Sequence, residues 1–83
     1  MFTILVKNFG GRKGERFFKS WNNAKEEMDK NVEDCCKVLN GKVHTTRDYF
    51  NSEKGFFVYE KVASFPNGEE CTWYLANDCF EDE

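Results

Sequence analysis

"SWNNAKEEMDKNVEDCCKVLNG", residues 20–41, decides the fold. Trp21, Ala24, Met28, Val32, Cys35 and Leu39 recur at spacings of three and four, and at about 100° per residue this places them on one stripe of an α-helix. Glu26, Glu27, Asp29, Lys30, Glu33, Asp34 and Lys37 take the rest of the circumference. Ser20 stands where an N-cap hydroxyl can accept a first-turn N–H, and Asn40-Gly41 tolerates the left-handed backbone that ends helices. The spacing predicts a helix over 21–39. A helix with a single apolar stripe needs a second layer to cover it.

The flanks supply that layer. "FTILVKN", residues 2–8, alternates Phe2, Ile4 and Val6 against Thr3, Leu5 and Lys7, the period of a strand with one strongly apolar face. "FGGRKGE", 9–15, carries three glycines and no period, so it reads as a turn, and "RFFK", 16–19, returns as a short second strand. Downstream, "FFVYEKVASF" (56–65) and "CTWYLAN" (71–77) flank "PNGEE" (66–70), two β-rich segments around a Pro-Asn-Gly turn. "KVHTTRDYFNSEKG", 42–55, has no clear period. Thr45 could cap a short helix through Phe50 and Asn51, so helix or irregular loop is expected there, with a strand over 42–50 as the alternative. The expected class is α+β, a small two-layer sandwich in the order β-β-α-β-β, with an antiparallel sheet and one long helix on one face. Residues 1–80 are read as a single domain and 81–83 as a frayed acidic tail.

Nine Phe, three Tyr and two Trp in 83 residues supply more ring surface than one small core needs. An exposed aromatic patch is the expected consequence. Charge is polarised as well. Residues 1–19 carry five basic side chains against Glu15 alone, whereas residues 20–83 carry seven basic against fourteen acidic. An acidic body resists nonspecific nucleic-acid binding and favours a partner with a basic surface. No apolar run reaches the ~18–20 residues needed to span a bilayer, and "MFTILVKNFGG" lacks the flanks of a secretory signal. A cytoplasmic placement with no membrane contact follows as the expectation, and with it four reduced thiols rather than a disulfide framework.

"DCCKVLNGKVH", 34–44, sets adjacent cysteines eight residues before the only histidine. Neighbouring helical positions point about 100° apart and their Cα atoms lie only ~3.8 Å apart, which disfavours a bond between Cys35 and Cys36. Zinc usually takes Cys and His in close pairs, yet the spacing here is C-x₇-H-x₂₆-C-x₇-C. Cys36, His44, Cys71 and Cys79 form a metal set only if the helix end meets the last strand. A cysteine nucleophile would need His44 as its base. Phosphate loops, G-x-S-x-G elbows and paired metal-binding histidines are missing from the sequence. No cofactor is implied, and no motif names a reaction.

"ILVKNF", Ile4 to Phe9, resembles the first-strand signature of RNA recognition motifs, and "KGFFVY", Lys54 to Tyr59, resembles a shortened form of their second signature. That resemblance implies a β-α-β-β-α-β sheet stacking bases on aromatics of its central strands. The chain departs from it at Leu5, which occupies the place of a stacking aromatic, and in the second segment, where one residue between the aromatics is missing. A one-residue slip sends a side chain to the opposite face.

The expected function is therefore non-enzymatic macromolecular interaction. Glu26, Glu27, Asp29, Glu33 and Asp34 on the helix, with Phe56, Tyr59 and Trp73 on the sheet, are the candidate contacts for a partner protein with a basic surface. In size and acidity the chain is similar in kind to small phage or mobile-element inhibitors of nucleic-acid-handling enzymes. The first alternative is a nucleic-acid binder using Arg12, Lys13 and Arg16 in the hairpin loop, and the second a zinc or thiol protein. A homodimer would hide an apolar sheet face without a foreign partner.

Overall fold

The computed structural model describes residues 2–78; the expected fraying beyond Phe80 and the residue Cys79 lie outside them. Strands β1 (Phe2–Phe9) and β2 (Arg12–Phe18) precede helix α1 (Trp21–Leu39), and β3 (Lys42–Asn51), β4 (Phe56–Ser64) and β5 (Glu70–Asp78) follow it. The five strands form one antiparallel sheet in the order β2-β1-β5-β4-β3, and α1 lies across one face. This is the expected two-layer α+β class with one strand more than the expected order contained. Among the described residues no helix is long and apolar enough to cross a membrane.

The extra element is β3, so the expectation of a short helix or loop over 42–51 is corrected to a strand. The physical reason lies in its position. β3 is an edge strand paired only with β4, and most of its residues are exposed on both faces, so it carries no alternation of apolar and polar side chains. Its β-branched and aromatic content (Val43, Thr45, Thr46, Tyr49, Phe50) is the signal that remains. The RNA-recognition arrangement is also overturned. The two resembling segments lie on β1 and β4, which β5 separates, and α1 is the only helix among the described residues.

Each turn uses the residues its geometry demands. Gly10 and Gly11, at φ of 59° and 85°, join β1 to β2 as a two-residue turn with both central residues left-handed. Asn51 accepts the N–H groups of Glu53 and Lys54 through its side chain, closing the β3–β4 loop. In the β4–β5 turn, the N–H of Gly68 donates to the carbonyl of Phe65 at 2.9 Å.

Ser20 caps α1 by accepting the Asn23 N–H at 3.2 Å, and Asn40 at φ 59° ends it. Ala24, Met28 and Val32 are buried against Leu5, Tyr59, Ala63, Cys71, Trp73 and Leu75. Side chains of this size contribute about 1.5–3 kcal/mol each when fully buried. The apolar stripe holds as far as Cys35; beyond it Leu39 is 46% exposed.

The covered face of the sheet is the less obvious one. Strand register places Leu5, Leu75 and Tyr59 in one line beneath α1, so Thr3, Leu5, Lys7 and Phe9 of β1 point to the helix. Phe2, Ile4 and Val6, the more apolar set, point to the face with no helix over it.

Gly41 has a steric role beside its place at the helix end. A Cβ there would run into the ring of Phe65, which packs over the helix-to-β3 connection. Gly41→Ala should therefore lower stability by about 1–3 kcal/mol through overpacking. Urea unfolding should show an earlier midpoint at unchanged slope; an unmoved midpoint would contradict the close approach.

Candidate interaction surface

The outward side of α1 carries Glu26, Glu27, Glu33 and Asp34, all exposed, with Lys30 and Lys37 among them. Glu27 reaches Arg16 of β2 at 3.6 Å. Asp29 is turned inward: its Oδ1 accepts the Tyr59 hydroxyl at 2.7 Å and lies 3.2 Å from Lys61 Nζ. One carboxylate thus ties the helix to two side chains of β4. Asn31 adds a second tie by accepting the indole N–H of Trp73 at 2.9 Å. Burial, and after it the bond to Asp29 that favours the protonated phenol, raises the Tyr59 pKa; contacts to Tyr59 and Asp29 raise that of Lys61 against its own desolvation.

The sheet aromatics expected at a partner surface are placed differently. Trp73 and Tyr59 are buried under the helix, and Phe56 is 9% exposed. The rings that reach solvent are Phe2 (48% exposed), Phe17 (66%), Phe50 (51%) and Phe57 (51%). Phe50 and Phe57 meet edge to face with centroids 4.9 Å apart. All four sit toward one end of the strands, because Phe2 opens β1, Phe17 closes β2 and Phe50–Phe57 pair across the β3–β4 hairpin near its tip. Composition signals the surplus of rings, but only strand register can say which of them are left outside.

The helix-free face of the sheet is apolar over half its length. Phe17, Ile4, Ala76, Val58 and Tyr49 form one line across all five strands. The next line runs Glu15, Val6, Tyr74, Glu60 and Arg47. Val58 and Ala76 are buried beneath their neighbours; Ile4, Val6, Tyr49 and Tyr74 are half-buried.

The basic hairpin does not gather into one patch. Arg12 and Arg16 fall on the helix side of β2 by register, whereas Lys13 falls on the other side beside Glu15, at 3.9 Å. Arg16 is occupied by Glu27 and by the ring of Phe18, 4.8 Å from its guanidinium carbon. Between β2 and α1 opens a cavity of about 250 Å³ whose wall includes Lys7, Gly14, Arg16, Glu27 and Asn31.

The described thiols and the histidine lie on opposite sides of the sheet. Cys35, Cys36 and Cys71 belong to the core under α1. His44 sits at a bulge in β3 and meets Glu70 Oε2 at 3.2 Å and Thr45 Oγ1 at 2.8 Å. Glu70 precedes Cys71 on the same strand, so their side chains leave on opposite faces. Cys36, His44 and Cys71 are therefore not brought together as a metal set, and Cys79 is not among the described residues. No group of three or more metal-ligating side chains exists among the described residues. Burial raises the Cys36 pKa and pushes Cys71 up to about 12, so at neutral pH both stay protonated, the opposite of an activated nucleophile.

Comparison with protein-family models, with curated proteins and with solved structures finds no match to this chain.

Two outcomes follow from this geometry. Cys71 ionises near 9 in an unfolded chain and near 12 when folded, so between those values the native state holds the extra proton and stability falls as pH rises. Relative to Cys71→Ala, the wild-type chain should lose stability by up to about 1.4 kcal/mol per pH unit above pH ~9. Parallel pH profiles of the two chains would contradict the buried thiol. Separately, Tyr59→Phe should cost about 0.5–1.5 kcal/mol by removing a hydrogen bond to a half-exposed carboxylate. Asp29→Asn in the Tyr59→Phe background should then cost less than Asp29→Asn alone, a coupling that a double-mutant cycle reads directly.

Proposed function

We propose that this chain is a non-enzymatic protein-interaction module that docks the outward face of α1 on a partner protein with a basic surface. The observation that carries the reading is the state of the helix carboxylates. Asp29 and Glu27 are tied to the sheet, whereas Glu26, Glu33 and Asp34 are exposed and take part in no ion pair among the described residues. Glu33 and Asp34 stand two turns beyond Glu26 on a helix pinned from below, and with Lys30 and Lys37 among them the three carboxylates leave a modest net negative charge fixed on this face. Fixed charge of this kind raises association rate and selectivity for a basic partner more than affinity at equilibrium. A basic nucleic-acid-handling enzyme fits that description, and the reading then is of a small inhibitor similar in kind to those of phage or mobile elements.

Two features of the geometry support a non-catalytic reading. His44 and the core thiols lie on opposite sides of the sheet, so no Cys–His couple forms from them. Phe57, which shares a cleft with Trp21 and packs edge to face on Phe50, gives the helix end an apolar border suited to contact rather than to chemistry. The nucleic-acid alternative is less well supported, because Arg16 and Lys13 each have a carboxylate within ion-pair distance.

The test is charge reversal. Glu26→Lys, Glu33→Lys and Asp34→Lys together should slow association with a captured basic partner at least tenfold at low salt and leave the unfolding midpoint within about 0.5 kcal/mol of wild type. An unchanged association rate would remove the helix face from the interface. Retention on heparin that weakens on Arg12→Ala and Lys13→Ala substitution would favour the nucleic-acid reading instead.

A further inference from the structure

We infer that the helix-free face of the sheet is covered by a second copy of the same chain, two sheets meeting face to face about a two-fold axis that runs along β5. The inference stands on the sheet and does not depend on what the helix face binds.

The pattern of the face is what points to a second copy. β5 is the middle strand of five, and a two-fold along it lays β2 of one copy over β3 of the other and β1 over β4. Each line of side chains then meets its own reverse. In the apolar line, Phe17 comes to Tyr49 of the other copy and Ile4 lies over Val58; Val58 and Ala76 are themselves covered by their neighbours, so the side chains that touch across the axis are the half-buried Ile4, Tyr49 and Tyr74 that stand above them. The small residue Ala76 falls on the axis, where two sheets approach most closely. In the next line, Glu15 at one edge comes to Arg47 at the other edge, twice by symmetry, Val6 comes to Glu60, which keeps its carboxylate turned to Arg47, and Tyr74 meets Tyr74. Glu15 and Arg47 each already have a partner within their own copy, Lys13 for Glu15 at 3.9 Å and Glu60 for Arg47 at 3.5 Å, but with side chains 48% and 57% exposed both pairs are surface contacts that an exchange across the interface can replace.

Charge balance separates this face from the helix face. Its described side chains include three cations, Lys13, Lys42 and Arg47, and three carboxylates, Glu15, Glu60 and Glu70. Counted over its described side chains this face is balanced, with the β3 edge basic (Lys42, Arg47) and the β2 edge holding Glu15 beside Lys13, so it offers little to the basic partner that the helix would attract. Sheets packed face to face lie about 10 Å apart with strands turned about 30° from one another. That turn moves an edge residue by roughly 5 Å, which the long arms of Glu15 and Arg47 can span.

Size sets the strength. Four inter-strand spacings of about 4.8 Å and a similar length along the strands give a footprint of roughly 400 Å² per copy before side-chain relief. At about 800 Å² in total this falls below the ~1,200 Å² of standard specific interfaces, so the dimer should be weak, reversible and dependent on concentration.

The experiment is sedimentation of the full chain over a range from about 1 μM to 1 mM, for wild type, Glu15→Arg and Arg47→Glu, separately and mixed. Wild type should pass from monomer to dimer. Each single variant sets like charges against each other twice in its own dimer and should shift dissociation to at least tenfold higher concentration. The mixture of the two variants restores Glu–Arg pairing at both contacts of the heterodimer and should return to near the wild-type concentration dependence. Far-UV circular dichroism and the unfolding midpoint of each variant establish that it is folded, and Phe17→Ser is a third variant that weakens the apolar line at an exposed edge position. A wild-type chain that stays monomeric to 1 mM overturns the inference. So does a dimer indifferent to all three substitutions, or two weakened variants whose mixture is no stronger than either alone.

Discussion

The structure depends on one seam, the line where Ala24, Met28 and Val32 lie on Leu5, Trp73 and Leu75. An apolar seam alone leaves a helix free to slide or turn, because dispersion and desolvation have no direction. Two polar contacts remove that freedom. Asp29 takes the hydroxyl of Tyr59 and the ammonium of Lys61, and Asn31 takes the indole N–H of Trp73. They leave α1 on either side of the seam and fix both its height and its rotation. The same geometry decides which carboxylates face water. Asp29 is spent on the sheet, and the neighbouring carboxylates Glu26 and Glu33 are held outward.

How much of this could be read from residues alone follows from how each element is buried. α1 has one wet and one dry side, so its 3.6-residue period, its Ser20 cap and its Asn40 end are all legible. The β4–β5 hairpin is legible from Pro66-Asn67-Gly68 and two β-rich runs. β3 is not, since an edge strand wet on both faces has no period to show. The choice of sheet face is hidden for a different reason. Phe2, Ile4 and Val6 look like the core-facing set by hydropathy, yet Thr3, Leu5 and Lys7 face the helix. Lys7 is tolerated there because its ammonium lies over the Trp73 ring, 5.7 Å from the centroid, at the margin of the covered area.

That inversion also accounts for the candidate site. Alternation places every second side chain of a strand on the same face, so once Leu75 and Trp73 are under the helix, Tyr74 and Ala76 must leave on the other side. Tyr59 and Trp73 were reasonable contact residues by type, but their parity puts them inside. Phe17, Phe50 and Phe57 are outside for want of a covering element, and no feature of their own sequence neighbourhood says so. The acidic helix residues were recoverable because a helix surface is written in its spacing; the open sheet face was not, because it is written in pairings between distant segments.

The order of the strands bears on how the chain assembles. β5 sits between β1 and β4, so the strand that leaves the ribosome after the other four is the one that joins them. Until it arrives, β1–β2 and β3–β4 are two separate hairpins with no hydrogen bonds between them, and α1 lacks Trp73, Cys71 and Leu75 to rest on. Isolated hairpins of this kind are marginal in water, and closing β1 against β5 brings together residues some seventy positions apart. In a nascent chain of this protein these elements therefore stay open until β5 is made, and close together when it pairs.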